Sequence, residues 1–380
     1  MDRVRIGIIG VGGMGSAHAR MMQQIEEVQL TAVADIDSTV AQQVAEQYGV
    51  PFFTDYRQCI DSGLVDAVLV ATPHPSHPEI AIYAFDRGLH VLCEKPMAIH
   101  PADADQMIEA ARRAGKVFSI MFQMRTERAY RIARKAIEQG VVGEVMRTQL
   151  VSAWYRNQAY YDSAEWRATW AGEGGGVLVN QAPHLLDMFC WLAGLPAKVT
   201  AFTHTRLHDI ETEDEAFALL EYSNGAHGYL YTTTNEAPGT QRIEIAGDLG
   251  KVVVQDGQVS VYRLQTPLRE FTHTSTDMWA GPQAEPVQVE VEEMPTGHAH
   301  ITRNFARAIL YGEPLLAPGE EGIWNVELAS AIILSSKRGK TVSLPVDRAE
   351  YDALLQELRA NSQPKRRVIG QRVSDPNIVR

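Results

Sequence analysis

The stretch Gly174-Gly175-Gly176-Val177-Leu178-Val179-Asn180-Gln181-Ala182-Pro183-His184-Leu185-Leu186-Asp187 sets three glycines and a cluster of polar side chains beside residues that read as core. Histidine is the side chain whose ordinary pKa lies nearest neutrality, so His184 can take a proton from a hydroxyl or return one. Asn180 stands four residues before it. On a helix starting near Asn180 the two share a face, and Pro183 falls in the first turn, where its missing N–H is tolerated. Leu185, Leu186, Met188, Phe189 and Trp191 would pack that helix. The glycines let backbone come close to a neighbouring strand or a ligand. Two readings stay open: Asn180 caps the helix, or the first turn addresses a bound molecule.

A second chemical cluster opens the chain. Gly10-Val11-Gly12-Gly13-Met14-Gly15 fits G-x-G-x-x-G, directly after a strand-like run and at the start of a helix-like one. In that setting the glycines Gly10, Gly12, Gly13 and Gly15, with Met14 among them, allow a tight turn. They let a pyrophosphate approach backbone N–H groups at a positive helix end. Asp35 closes the second strand twenty residues beyond Gly15, where a carboxylate accepts hydrogen bonds from ribose hydroxyls and repels a 2′-phosphate. With no arginine in 36–39, the pattern favours NAD over NADP.

Further strand ends carry candidates for the same cleft, because ligands of open α/β sheets bind at the carboxyl ends of strands. Thr72 and His77, in Ala71-Thr72-Pro73-His74-Pro75-Ser76-His77, would face the cofactor, with His74 a weaker candidate. Glu94 and Lys95, in Cys93-Glu94-Lys95-Pro96, close the next strand beside the expected nicotinamide position. Gln123 and Arg125 leave the last strand of that sheet toward it. The segment WYRNQAYYDSAEWRATWAGE, from Trp154 to Glu173, is dense in aromatic and polar residues. Sugars are held by aromatic faces and fixed donors, which fits Tyr155, Arg156, Trp166 and Arg167; a core or interface stripe is the other reading. The pair His298 and His300 reads as a helix start rather than a metal site, and this chemistry needs no metal.

These residues need a frame. Val4–Ile9, Leu30–Ala34, Ala67–Ala71, His90–Cys93 and Val117–Met121 are short apolar runs rich in β-branched residues, separated by helical stretches such as Thr39–Tyr48, Pro78–Arg87 and Ala102–Ala114. That alternation predicts an α/β class, with a doubly wound parallel Rossmann sheet covered on both faces. The first domain is expected over 1–124. After a helix at about Thr126–Gln139, alternating segments are joined by Asn224-Gly225 and Asp256-Gly257, dipeptides that supply the positive φ of two-residue hairpins. Residues 125–380 therefore read as an α+β domain with a large, mostly antiparallel sheet. A helix His184–Leu192 packs on one face, and late helices run over His298–Tyr311 and Glu320–Arg338. The uncovered face is a natural surface for a homodimer or homotetramer.

The chain has 380 residues, 45% hydrophobic and 22% charged, with a net charge of −12. That charge argues against nucleic acid or an anionic membrane as partner, and the basic tail at Lys365, Arg366 and Arg367 is too short to change this. No secretory leader or membrane-length apolar run is evident. Cys59, Cys93 and Cys190 are far apart and read as reduced thiols of a cytoplasmic protein.

Taken together, GVGGMG, AVADID, ATPHPSH, CEKP and GGGVLVNQAPHLLD resemble the Gfo/Idh/MocA oxidoreductases, over nearly the whole chain. The resemblance implies that Lys95 and His184 meet at the nicotinamide of NAD, and that the Lys95–Pro96 bond is cis. His184 is then the general base and Lys95 stabilises the reacting oxygen, although the two roles can be exchanged. Many relatives carry an aspartate four residues before the histidine, where this chain has Asn180, which cannot titrate. Asp187 either orients the histidine ring or makes a helix-face contact. The implied substrate is a sugar, glycoside or cyclic polyol such as an inositol. A redox-neutral glycosidase using bound NAD and a non-catalytic NAD sensor are the alternatives.

Overall fold

The computed structural model describes residues 2–363, 365, 368 and 369. Six strands, β1 (Val4–Ile9), β2 (Val28–Ala34), β3 (Phe52–Phe53), β4 (Ala67–Val70), β5 (His90–Cys93) and β6 (Phe118–Ile120), form one sheet in the order β3-β2-β1-β4-β5-β6. Every pairing in it is parallel. Helices cover both faces, so β4 is buried along its whole length and its sequence is continuously apolar rather than alternating. Strand order reverses between β1 and β4, which opens a crevice at their carboxyl ends. The chain returns late to this core: Ile301, Phe305 and Ala306 of the helix His298–Tyr311 pack into it.

The second sheet has nine strands: β7 (Val145–Tyr155), β8 (Lys198–His204), β9 (Glu215–Glu221), β10 (His227–Thr233), β11 (Asn235–Gly247), β12 (Gly250–Gln255), β13 (Gln258–Leu264), β14 (Ala284–Pro286) and β15 (Val342–Ser343). Their order is β14-β13-β12-β11-β7-β10-β9-β8-β15. β7 and β10 run parallel, and the other neighbours are antiparallel. The two expected hairpins form, with Gly225 at φ 85°, Asp256 at 46° and Gly257 at 79°. Helices Arg128–Glu138, Pro183–Ala193 and Ile323–Arg338 pack the inner face. On the other face, Phe202 is in register with Phe217, Phe217 with Tyr231, and Leu219 with Tyr229.

Helix starts differ from the sequence reading in a consistent way. The helices expected from Thr126 and Glu320 each open with a tighter turn, Gln123–Thr126 and Gly319–Gly322, before Arg128–Glu138 and Ile323–Arg338 begin. Of the basic tail, Arg366 and Arg367 lie outside the described residues. Lys365 is not a solvated tail residue: it donates to the Ala164 carbonyl at 3.2 Å and to that of Tyr161.

Candidate active site

The turn after β1 fits a dinucleotide. Gly10 has φ 86°, and a Cβ there would lie 2.7 Å from the Ala71 carbonyl oxygen. A Cβ on Gly15 would run into the Gly10 carbonyl oxygen, whereas Gly12 faces open space. Gly13 and Met14 open the helix Gly13–Met22 at that mouth, Gly13 exposed and Met14 partly so. Asp35, past the end of β2, accepts from Val11 N at 2.9 Å and Asp37 N at 3.0 Å. Its carboxylate thus braces the loop from the position expected for a ribose partner.

The ends of β4 and β5 divide the remaining cofactor candidates. His77 is fully buried, and its two ring nitrogens meet the carbonyls of Pro96 at 2.9 Å and Thr72 at 2.8 Å. This corrects the expectation that His77 faces the cofactor: its ring lies between the two carbonyls and, as a neutral imidazole, donates to one of them. His74 is the histidine of this turn that keeps an unpartnered ring nitrogen, the buried Nδ1. Its ring stands 6.1 Å from Trp166, and burial, His77 and Lys95 hold its pKa well below the ordinary value. Thr72 Oγ1 is likewise buried and unpartnered. Glu94 Oε1 meets His18 Nε2 at 2.7 Å, and its Oε2 accepts from Lys95 N at 3.1 Å. Burial alone would raise the Glu94 carboxyl, but the His18 hydrogen bond and the charges of His18, His298 and Lys95 hold it below the carboxylate range. The Lys95–Pro96 peptide is cis.

Across the crevice, Glu213 accepts from Gly176 N at 2.9 Å and Leu178 N at 3.1 Å. A Cβ on Gly176 would collide with the Glu213 carbonyl oxygen, so this approach needs glycine. The next residues correct the helix expected from Asn180. Val177–Gln181 form a wide π turn, with Ala182 N donating to Val177 O at 2.7 Å, and the α-helix begins at Pro183. Pro183 has no N–H for the carbonyl four residues back, which favours the wider turn. Asn180 is therefore not a cap. Its main-chain oxygen accepts from Lys95 Nζ at 3.2 Å. His184 Nε2 lies 3.2 Å from the Gln123 carboxamide nitrogen, and His184 Nδ1 and Gln123 Oε1 are buried without partners. Burial, then the charges of Lys95 and His298, hold His184 well below its ordinary pKa.

Trp166 and Arg167 reach this group and Arg156 borders it. The Arg167 guanidinium lies 4.7 Å from the Trp166 ring and 4.4 Å from that of Tyr160, to whose hydroxyl it donates at 2.6 Å. The Arg156 guanidinium stands 5.4 Å from the Tyr160 ring. Tyr155, half-exposed at the end of β7, is set in register with Asn235 and is not one of this group. Arg125 and Asp187 are corrections. Each is 1% exposed, and they form a two-pronged pair at 2.6 and 2.9 Å, with Glu321 as a further partner of Arg125. They spend their charge on one another, so Arg125 faces no substrate and Asp187 does not orient His184.

Three residues that sequence reasoning passed over complete the site. Glu173 stood in the aromatic segment without a role, yet it accepts from the Asn180 carboxamide and from Ala168 N at 2.5 Å. His18 partners Glu94 from the glycine-loop helix. His298, read as a helix start, packs 5.6 Å from His18, with its pKa lowered by burial to about 4. His18 and Glu94 stand in recognisable motifs, but they are 76 residues apart and no spacing pairs them; His298 arrives from the far end of the chain and leaves no signal. The whole is a lysine and a histidine flanked by unpartnered polar atoms at the mouth of a glycine-loop crevice. A cavity of about 760 Å³ lies elsewhere, walled by β11–β14.

Fold and site define a dinucleotide-binding protein built on a Rossmann sheet joined to a large mixed sheet. Residues 4–122 match the model of the oxidoreductase family with NAD-binding Rossmann fold, and residues 130–253 that of the GFO/IDH/MocA C-terminal domain. The chain belongs to the Gfo/Idh/MocA oxidoreductase family. It is 26% identical to myo-inositol 2-dehydrogenase of Thermotoga maritima, over 90% of this chain and 98% of that protein. It is 27% identical to levoglucosan dehydrogenase of Pseudarthrobacter phenanthrenivorans, over 91% and 99%. Among solved structures, the WlbA dehydrogenase from Bordetella pertussis, in complex with NADH and UDP-GlcNAcA, is similar with a TM-score of 0.78 and 28% identity, over 91% of this chain and all of that one.

Proposed function

We propose that this chain is an NAD-dependent dehydrogenase that oxidises a secondary hydroxyl of a sugar, glycoside or cyclic polyol. The observation that carries the reading is the approach of Lys95 to the segment bearing His184, among the unpartnered atoms of Thr72, His74, Gln123 and His184. Relatives named for inositol and levoglucosan support the substrate class. The glycine loop and Asp35 would hold NAD, which supplies the hydride acceptor when bound. His184, kept neutral by its surroundings, takes the hydroxyl proton. The Lys95 ammonium hydrogen-bonds the same oxygen and offsets its growing negative charge. Trp166, Arg167 and Arg156 orient the ring of the substrate. Asp35 opposes a 2′-phosphate, so NAD is preferred to NADP.

The division of labour we assign is residues 1–124 for the cofactor and 125–380 for substrate and self-association, in a cytoplasmic protein. His184→Ala should leave NAD binding within about twofold by calorimetry and lower turnover about a hundredfold or more. Unchanged turnover would remove His184 from the reaction.

A further inference from the structure

We propose that Glu173 is a positioning residue that, through Asn180, holds the Lys95 ammonium in place and keeps it charged. This deepens the functional reading above and rests on it. Glu173 is fully buried. One carboxylate oxygen accepts from Ala168 N at 2.5 Å and the other from the Asn180 carboxamide. The Asn180 main-chain oxygen in turn accepts from Lys95 Nζ at 3.2 Å. The chain of contacts Glu173–Asn180–Lys95 therefore runs unbroken from a buried carboxyl to the ammonium. Asn180 itself carries no charge, so the carboxylate that faces the lysine from this side is supplied by Glu173, seven residues earlier.

Burial lowers the pKa of Lys95, while Glu94 and Glu173 raise it and Arg167 lowers it further. His74, His184 and His298 also face Lys95. Around Glu173 stand Arg167, Lys365 and the phenols of Tyr160 and Tyr161. Burial raises the Glu173 carboxyl to about 7, so its charge appears within the working pH range. Glu94 is held ionised below that range, which leaves Glu173 as the neighbour able to change the field at Lys95.

The test needs no substrate. Lys95 is acylated by acetic anhydride at graded pH, and its modification is read by peptide mass spectrometry in the wild type and in Glu173→Gln. An opposite charge nearby moves a pKa by about one unit, so the Lys95 midpoint should fall by about one pH unit in the glutamine variant. An unmoved midpoint overturns the proposal. If the glutamine variant does not fold, Glu173→Asp, which keeps the charge, must leave the midpoint within about 0.3 unit of the wild type. A fall as large as charge removal predicts overturns it in the same way. With a turned-over substrate in hand, the alkaline limb of kcat should follow the labelling midpoint; a lower kcat with an unmoved limb marks a purely structural residue. Failure of every substrate strikes the functional reading and leaves the labelling result standing.

Discussion

Burial acts on Glu173, Lys95 and His184 in opposite senses, raising the acid and lowering the bases. For Glu173 this has a consequence for stability. Its folded pKa of about 7 exceeds the ordinary 4.5, so the native state holds a proton that the unfolded chain has released. Below about 4.5 the two states bind it equally; as pH rises toward 7 stability is lost, and above 7 the full penalty, about 3 kcal/mol, is present. Glu173→Gln removes that penalty, so at about pH 8 its urea midpoint should equal or exceed that of the wild type. A lower midpoint there would show that the carboxylate stabilises the fold. The individual residues were unevenly legible. Lys95 and His184 announce themselves by type and motif. Glu173 does not, because the irregular run through residues 174–176 brings it against Asn180, a contact that no helix or strand period predicts.

Local chemistry explains which segments could be read. The glycine loop must be contiguous, since the turn, the backbone donors and the helix start are one structure. The hairpin dipeptides are similarly self-contained. His74 and His77 lie on one short turn and its helix, and only the packing of Pro96 and Thr72 around the ring decides that His77 lies between two carbonyls while His74 keeps an unpartnered ring nitrogen. Arg125 and Asp187 are 62 residues apart, and no spacing rule pairs them. Their pair ties the turn Gln123–Thr126 to the helix Pro183–Ala193, and so fixes Gln123 opposite His184. Asp187→Ala leaves a buried guanidinium short of a partner. It should therefore destabilise by about 3–5 kcal/mol, measured by urea denaturation; a loss under about 1 kcal/mol would mean that Glu321 alone suffices for Arg125.

Fold class and the order of the two sheets were visible in the change from continuous to alternating apolar patterning. The late return of Ile301 and Phe305 to the first core was not, because a helix shows that it has an apolar face but not which sheet receives it. The outer face of the second sheet exposes Phe202, Phe217 and Leu219, and we assign it to self-association as a homodimer or homotetramer. Leu219→Lys should shift the sedimenting species toward the monomer; an unchanged profile assigns assembly to another surface. The activity itself is best tested by mixing purified protein with NAD, and separately with NADP, against inositols, free sugars and glycosides while following the absorbance of reduced nicotinamide. The expected result is NADH formation with at least one of these, weaker with NADP and about a hundredfold or more slower in His184→Ala. A glycoside that disappears with no net NADH would contradict the dehydrogenase reading in favour of redox-neutral cleavage, and NADH formation at an unchanged rate in His184→Ala would contradict the proposed proton acceptor.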